Sequence, residues 1–223
     1  MIKLKSTIKK VAGKFLSKSN YPIVVASCGR SGSKMLKRHI ALSCVRCIGK
    51  ILRKRTSKVI TCQKWNLRPL DFNEGLVYET HDYPPDNIEM CEAKFIYIYS
   101  NPFRIIYSLL KQRQKRGKKW FSSHAKHLKA KSACADQLTK DDVLHLEDNF
   151  TAWSNVESSN VFTIHLDNLW VRSHEISDFL DIDVTLPKRK PRTSTKNDFQ
   201  PGTIQDIKET YQKFNKKVQS YKG

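Results

Sequence analysis

One stretch decides the fold: Pro22-Ile-Val-Val-Ala-Ser-Cys-Gly-Arg-Ser-Gly-Ser-Lys-Met-Leu36. Its apolar start, centred on Val24, predicts a buried β-strand. A small, hydroxyl-rich and basic loop follows from Gly29 to Lys34. After the loop, apolar side chains recur at the spacing of a helix. These side chains are Leu36, Ile40, Cys44, Cys47, Ile48 and Ile51.

The loop has the composition of a binding site for a phosphate-like anion. Backbone N–H groups at a helix N-terminus point outward without partners, and the helix dipole favours negative charge there. Arg30 and Lys34 add positive charge, while Ser31 and Ser33 add hydroxyl donors on either side of Gly32. An ordinary strand-to-helix turn also needs small residues, so the loop alone leaves both interpretations open.

The spacing of the loop differs from that of the NTPase phosphate-binding loop, G-x-x-x-x-G-K-[ST]. Gly29 and Gly32 are too close together, and Lys34 does not directly follow a glycine. Met35 stands where a magnesium-binding hydroxyl is required. The loop therefore suits a phosphate or sulfate donor without an obvious metal ligand.

Two further apolar runs end in polar residues that are candidates for the same site. The run from Phe95 to Ser100 predicts a buried strand, and Asn101-Pro102 ends it and opens a helix. The run from Leu76 to His81 predicts a short strand that two prolines stop. Because open α/β sheets commonly place chemistry at the ends of their strands, His81 is a candidate site residue.

These segments, in this order, resemble the sulfotransferases that use 3′-phosphoadenosine 5′-phosphosulfate (PAPS). The order Arg30-Ser31-Gly32-Ser33 resembles the family's 5′-phosphosulfate loop. Asn101-Pro102, followed by Ser108, resembles its 3′-phosphate segment, and Thr80-His81 resembles the segment that carries its general base. The remaining likeness lies in a late strand with an acidic turn and in the short helix after it, at 161–169 and 173–180.

The resemblance implies one α/β domain with a central, mainly parallel sheet flanked by helices, in a P-loop-like sulfotransferase architecture. It also implies sulfuryl transfer from PAPS to an acceptor hydroxyl or amine, with His81 as the base and without a metal. Arg30 and Lys34 are then the cations that stabilise the departing phosphate. The implied donor-binding residues are Arg30, Ser31, Gly32, Ser33, Lys34, Ser100, Arg104 and Ser108.

Two positions depart from the family pattern. Ser100 stands where the family has an arginine, so a forked contact to the 3′-phosphate is lost. Arg104, one helical turn before Ser108, is the expected replacement. Glu79 stands where the family has a lysine, and it is a further candidate to orient His81 or to act as the base itself.

The net charge of +20 is unevenly distributed along the chain. The first 70 residues hold eighteen Lys and Arg and no Asp or Glu, which is more positive charge than a nucleotide donor needs. We expect a basic amphipathic helix at 1–20, ahead of the domain at 21–223. Such a helix either lies on an anionic membrane or docks on the domain with its lysines in solvent. Its apolar face comprises Leu4, Ile8, Val11 and Phe15.

Two later runs are also basic. The run from Lys111 to Lys131 has few regularly spaced apolar residues and predicts an exposed loop or lid. In the family this region helps to build the acceptor side, so its charge suggests an acidic glycan or lipid as acceptor. Arg192 and Lys196, in a late basic loop, are further candidates to contact the 3′-phosphate.

The six cysteines show no disulfide pattern, and the sequence shows no signal peptide and no membrane-spanning run. We therefore expect a cytoplasmic protein, with peripheral membrane contact as an option. No specific nucleic acid is expected, because the aromatic residues lie on predicted strands and core stripes. Two other functions stay open: a P-loop-type kinase, which requires magnesium, and a non-catalytic protein that binds polyanions or membranes on the same scaffold.

Overall fold

Five parallel strands form the centre of this computed structural model, which describes residues 11–46, 49–68, 71–191 and 196–221. Their order across the sheet is β2-β3-β1-β4-β5, and every pairing is parallel. This confirms the predicted α/β class with a central parallel sheet. The strands are β1 (Ile23–Ala26), β2 (Thr61–Gln63), β3 (Val77–Thr80), β4 (Lys94–Tyr99) and β5 (Val161–His165).

Helices flank the sheet and supply most of the crossovers that parallel strands require. Short 3₁₀ turns interrupt the connections at Ile88–Met90, Ala135–Gln137 and Lys196–Asp198. Apart from a helical segment at 11–16, the helices of the described residues are α1 (Ser33–Cys44), α2 (Lys50–Val59), α3 (Pro102–His127), α4 (Leu146–Ser154), α5 (Ser173–Leu180) and α6 (Pro201–Ser220).

The core lies on both faces of the central strands. All four residues of β1 are fully buried, as expected for a parallel strand covered on two sides. Trp153 of α4 stacks on Tyr97 of β4 with the ring centroids 5.3 Å apart. The last helix, α6, packs on this core through an apolar stripe, whose buried members are Ile207, Tyr211, Phe214 and Val218.

The helix after the first loop is shorter than the apolar spacing predicted. Helix α1 ends at Cys44, because Val45 turns to an extended conformation and pairs with Ser17 in an isolated bridge. Cys47 and Ile48 lie outside the described residues. Ile51 belongs to a second helix, α2, and its side chain is exposed to solvent.

The prediction of a loop or lid between Lys111 and Lys131 is wrong for most of that run. Helix α3 continues to His127, with a break at Gly117, whose φ is 76° and ψ is −179°. The charged side chains occupy the outer face of this helical segment. The buried side chains of its inner face recur three or four residues apart, but the many charged residues between them hide this spacing in the sequence. They are Phe121, His124, Ala125 and Leu128.

The predicted N-terminal helix at 1–20 lies partly within the described residues. Residues 1–10 lie outside the described residues, and residues 11–16 are helical. Val11 and Phe15 of the predicted apolar face are exposed, whereas Gly13 is buried against the backbone near Gly75. No helix among the described residues is long and apolar enough to cross a membrane.

Candidate active site

The candidate site lies where the carboxyl ends of the three central strands meet. β1 pairs with β3 on one side and β4 on the other, so that Ala26 is opposite both Thr80 and Tyr97. The chain leaves β1 towards β2 and later returns to β4 across the sheet. Such a switch point opens a crevice at the strand ends, where α/β proteins bind ligands. The β1–α1 loop, residues 27–32, and His81 therefore begin at the same edge.

Positive φ angles shape the β1–α1 loop. Gly29, Arg30 and Gly32 have φ angles of 84°, 53° and 89°. Glycine adopts this region without a steric cost, whereas the conformation at Arg30 is strained for a residue with a side chain. Gly32 precedes α1 without any side-chain cap, which leaves the first N–H groups of that helix for a ligand. The loop thus has the geometry of an anion site.

Serine hydroxyls hold the loop together from within. Ser27 Oγ accepts the N–H of Gly29 at 3.1 Å, and Ser31 Oγ donates to the carbonyl of Gly29 at 3.0 Å. Ser31 is completely buried. Ser33 Oγ donates to Glu79 Oε1 at 3.3 Å. The structure therefore uses the hydroxyl protons of Ser31 and Ser33 within the protein, where the sequence suggested donors to a ligand.

Glu79 and Lys37 form a buried ion pair beside the loop. Lys37 Nζ lies 2.6 Å from Glu79 Oε2, and both residues are more than nine-tenths buried. Burial opposes the charge of Glu79, but the hydrogen bond and charge of Lys37 outweigh it and lower the pKa of the carboxyl group. The predicted cation Lys34 is exposed on the first turn of α1. Lys37, on the face of Ser33 one turn later, escaped the sequence analysis.

His81 follows β3 directly and is buried. Its Nδ1 lies 3.0 Å from the carbonyl oxygen of Ser27. Because a carbonyl only accepts, Nδ1 carries the proton in this contact and Nε2 is left with its lone pair. Burial lowers the pKa of His81, although the charge of Glu79 opposes this shift. His81 is therefore a neutral imidazole with a basic nitrogen at the strand end.

Two tryptophans and two further histidines surround His81. The ring of Trp65 lies 5.1 Å from that of His81 and stacks on His127 at 4.1 Å. His124 meets His81 edge to face at 5.6 Å and stacks on Trp120 at 5.3 Å. None of these four rings was among the predicted site residues. The sequence signal for His124 is the helical spacing of the buried residues after Gly117, which places His124 on the inner face of α3.

The two segments predicted to hold the phosphates meet through one hydrogen bond. Arg30 Nε donates to Ser108 Oγ at 2.8 Å. Partial burial and, after it, the charge of Arg116 lower the pKa of Arg30. Ser100 lies at the end of β4 and is buried. The structure thus brings Arg30 and Ser108 together.

Arg104, the expected replacement for the missing arginine, contacts a different residue. Its Nη1 lies 2.5 Å from Asp167 Oδ2, and Arg189 Nη2 lies 3.1 Å from the other oxygen of Asp167. The structure therefore does not bring the Arg104 guanidinium to Ser108. Of the late basic loop, Lys196 is exposed, and Arg192 lies outside the described residues.

A cavity of about 320 Å³ opens beside Arg104, at the ends of β4 and β5. Arg104 and Asp167 form part of its wall, and residues of the β1–α1 loop do not line it. Within the described ranges, no group of three or more His, Cys, Asp or Glu side chains is arranged to hold a metal ion. The other lining residues are Tyr99, Asn101, His165, Asn168, Val218, Gln219 and Tyr221.

Comparison with solved structures shows which fold the chain shares. The structure of mouse sulfotransferase SULT7A1 complexed with PAP superposes with a TM-score of 0.52 and 14% identity, covering 99% of this chain and 96% of that one. The sulfotransferase domain from the curacin biosynthetic pathway has a TM-score of 0.37 and 15% identity, covering 85% and 78%. No protein-family model and no curated protein matches the sequence. The first superposition confirms the predicted fold: the chain has a sulfotransferase fold.

Proposed function

We propose that this protein transfers a sulfuryl group from PAPS to an acceptor hydroxyl or amine. The observation that carries the proposal is the neutral His81, whose unprotonated Nε2 lies at a strand end beside an anion-binding loop. The bond between Arg30 and Ser108 supports it, because it joins the two segments that a bisphosphate donor needs. The fold supports it further, since the mouse enzyme with this fold was crystallised with PAP.

The proposed chemistry is an in-line displacement at sulfur. His81 Nε2 accepts the proton of the acceptor as the acceptor atom forms its bond to sulfur. The bond between sulfur and the bridging phosphate oxygen breaks, and its electron pair leaves with 3′-phosphoadenosine 5′-phosphate (PAP). Arg30 and the N–H groups at the start of α1 stabilise the charge that grows on that oxygen. Lys34 lies on the same first turn and is the second proposed cation.

We propose that Ser108 and Ser100 face the 3′-phosphate side of the donor. Arg104 is one turn before Ser108 on α3, at the wall of the cavity beside β4 and β5. Binding of a 3′-phosphate there requires Arg104 to exchange Asp167 for the phosphate. Both groups of this ion pair are about a third or more exposed, so the pair itself contributes little to stability and the exchange is inexpensive.

The acceptor is proposed to enter past Trp65, Trp120 and His127. These three rings are half-buried: Trp65 contacts His81 directly, His127 stacks on Trp65, and Trp120 stacks on His124. The outer face of α3 carries a dense set of lysines and arginines. An anionic acceptor, such as an acidic glycan or lipid, fits this surface by charge.

The donor class is tested by isothermal titration of PAP against the protein at moderate salt without magnesium, with ATP as the comparison ligand. We expect PAP to bind more tightly than ATP, and Arg30→Ala to abolish the binding. Absence of PAP binding contradicts the proposal. ATP binding that appears only with magnesium then favours a P-loop-type kinase. If neither nucleotide binds, the result favours a non-catalytic protein that binds polyanions.

A further inference from the structure

His124 holds a buried nitrogen that the protein does not use. The residue is 8% exposed, and its Nε2 has no hydrogen-bond partner among the described residues. A buried polar atom without a partner costs free energy, and native proteins rarely leave one without a ligand or water to satisfy it. The position of this atom therefore indicates where a bound group belongs.

The nitrogen faces the β1–α1 loop. A methyl group on Gly29 would lie 2.8 Å from Cε1 and 2.9 Å from Nε2 of His124, and 3.8 Å from Nε2 of His81. The Nε2 atoms of both histidines thus border the same point beside Gly29. That point is next to the loop in which an anion is proposed to lie, and next to the nitrogen that is proposed to take the acceptor proton.

The ring is held in this direction by its surroundings. Trp120 stacks on one face of His124 with an interplanar angle of 10°, and both residues lie on the helical segment after the break at Gly117. A charged imidazole is disfavoured here, because burial, then His81, Arg30 and His127, lower the pKa of His124 to about 3. His124 is therefore a neutral group near pH 7, with one N–H to donate.

We infer that His124 is a second active-site histidine, whose Nε2–H group donates a hydrogen bond to the sulfuryl group of the bound donor. The inference rests on the proposed function. A neutral donor at this position contacts the transferred group without adding another charge beside Arg30. It leaves His81 as the base, because Nε2 of His81 keeps the lone pair that Nε2 of His124 lacks in this state.

The difference between PAPS and PAP tests this contact, because only PAPS carries the sulfuryl group. His124→Phe keeps a ring against Trp120 and removes the donor, whereas His124→Gln keeps an N–H near the position of Nε2. We expect His124→Phe to weaken the binding of PAPS by about tenfold or more, since the lost hydrogen bond is to a charged group. PAP affinity should change by less than about twofold, and His124→Gln should retain most of the preference for PAPS.

Titration calorimetry of both nucleotides on the wild type and the two variants separates the outcomes. If the wild type binds neither nucleotide, the proposed function fails, and this inference falls with it. If the wild type binds both and His124→Phe binds PAPS as well as before, only the inference is overturned. An equal loss of PAP and PAPS also overturns it, because that result reflects a disturbed loop. Circular dichroism of each variant confirms that it is folded.

Exposed apolar side chains also collect on two helical segments near the start of the chain. Val11 and Phe15 are 52% and 69% exposed, and Ile51, Leu52 and Val59 of α2 are exposed as well. Only two other large apolar side chains are comparably exposed within the described ranges, at Met90 and Val171. The first segment is bonded to the chain just after α1, since Ser17 pairs with Val45 and the N–H of Arg46 bonds to the carbonyl of Leu16.

The exposed face of α2 is also strongly basic. Helix α2 exposes four basic side chains, and the first 70 residues contain no Asp or Glu. Cations beside exposed apolar groups match a surface that is apolar below and anionic above, which is the composition of an anionic lipid bilayer. The four side chains are Arg53, Lys54, Arg55 and Lys58.

We propose that this basic apolar surface binds anionic phospholipid membranes. Sedimentation with vesicles tests it, using phosphatidylcholine alone and phosphatidylcholine with about 30% phosphatidylserine. We expect binding only to the anionic vesicles. The double variant Ile51→Ser/Leu52→Ser should bind these vesicles about tenfold more weakly, because less apolar surface enters the lipid. The matched control Met90→Ser/Val171→Ser should bind like the wild type.

Retention on heparin separates a membrane from a free polyanion. We expect the Ile51/Leu52 variant to be retained like the wild type, because its charges are unchanged. If that variant keeps its vesicle binding, the apolar side chains do not contact lipid and the proposal is overturned in favour of a polyanion partner. Equal losses in the variant and in the Met90/Val171 control also overturn it.

Discussion

The carboxyl edge of the sheet is built differently at its two ends. Beside β1 and β3, the polar groups are buried and bonded to one another, as in the contacts of Lys37 with Glu79 and of His81 with Ser27. Beside β4 and β5, Arg104 and Asp167 are partly exposed and line an open cavity. Buried networks fix geometry, whereas exposed ion pairs exchange partners easily. The first end thus suits chemistry, and the second suits reversible binding.

Among these variants, we expect the strongest loss at His81, on the buried β1–β3 end, where substitution should reduce turnover. His81→Asn keeps a donor near the position of Nδ1 for the Ser27 carbonyl and removes Nε2. We expect PAP formation from PAPS, with an acceptor found by screening, to fall about 10²–10⁴-fold, which is the usual contribution of a general base. PAP affinity should stay close to that of the wild type. Unchanged turnover would show that another group accepts the proton, with Glu79 the first alternative.

A buried charge makes the β1–β3 end sensitive to the loss of its partner. Lys37→Met leaves the Glu79 carboxylate buried without its counter-ion, which should lower the free energy of unfolding by about 3–5 kcal/mol. Urea denaturation at pH 7 measures this. Lys34→Met is the matched control, because the side chain is exposed, and it should change stability by less than about 0.5 kcal/mol. Glu79→Gln in the Lys37→Met background should restore part of the loss. Equal stability of the two single variants would contradict a buried ion pair.

The pH dependence of stability also reports on the buried end. In the folded protein the pKa of His124 is about 3, against an ordinary value of 6.5, so below about pH 6.5 the unfolded chain binds a proton that the folded one does not. Stability should therefore decrease as the pH falls, by about 2 kcal/mol at pH 5 for this residue alone. His81 and His127, whose pKa values are also lowered by burial, act in the same direction.

Urea denaturation at pH 7 and pH 5 isolates the share of His124. His124→Phe cannot titrate, so the loss between the two pH values should be smaller in this variant than in the wild type. The measurement does not go below pH 5, because the carboxylates begin to titrate there. An identical loss in both proteins would mean that His124 is accessible to protons in the folded state.

At the β1–β3 end, the sequence predicted the positions of residues that follow a strand closely, but not the roles of residues whose partners lie far along the chain. The positions of the loop at 29–34 and of His81 were predictable, because each follows a strand closely and the strand pattern fixes the edge of the sheet at which it lies. Lys37 and His124 were missed because their roles depend on partners far along the chain. For His124 the cause is specific: charged residues hid the inner face of α3, and Gly117 interrupts its spacing. At the other end, Arg104 was placed on the correct helix but Asp167, its competing partner, could not be foreseen.

A small change in PAP affinity tests whether the β4–β5 end belongs to the donor site. Asp167→Asn removes the carboxylate charge that holds Arg104 and Arg189, so both guanidinium groups become more available to a phosphate. We expect PAP to bind about threefold more tightly at low salt, since an exposed ion pair is worth less than about 1 kcal/mol. The control is Asp136→Asn, which releases Arg113 from a comparable pair and adds the same charge. Tighter binding in both variants would be a net-charge effect, whereas tighter binding in Asp167→Asn alone would assign Arg104 and Arg189 to the donor. Unchanged or weaker binding in Asp167→Asn would remove this end of the sheet from the donor site and leave Ser108 and Arg30 as the phosphate contacts.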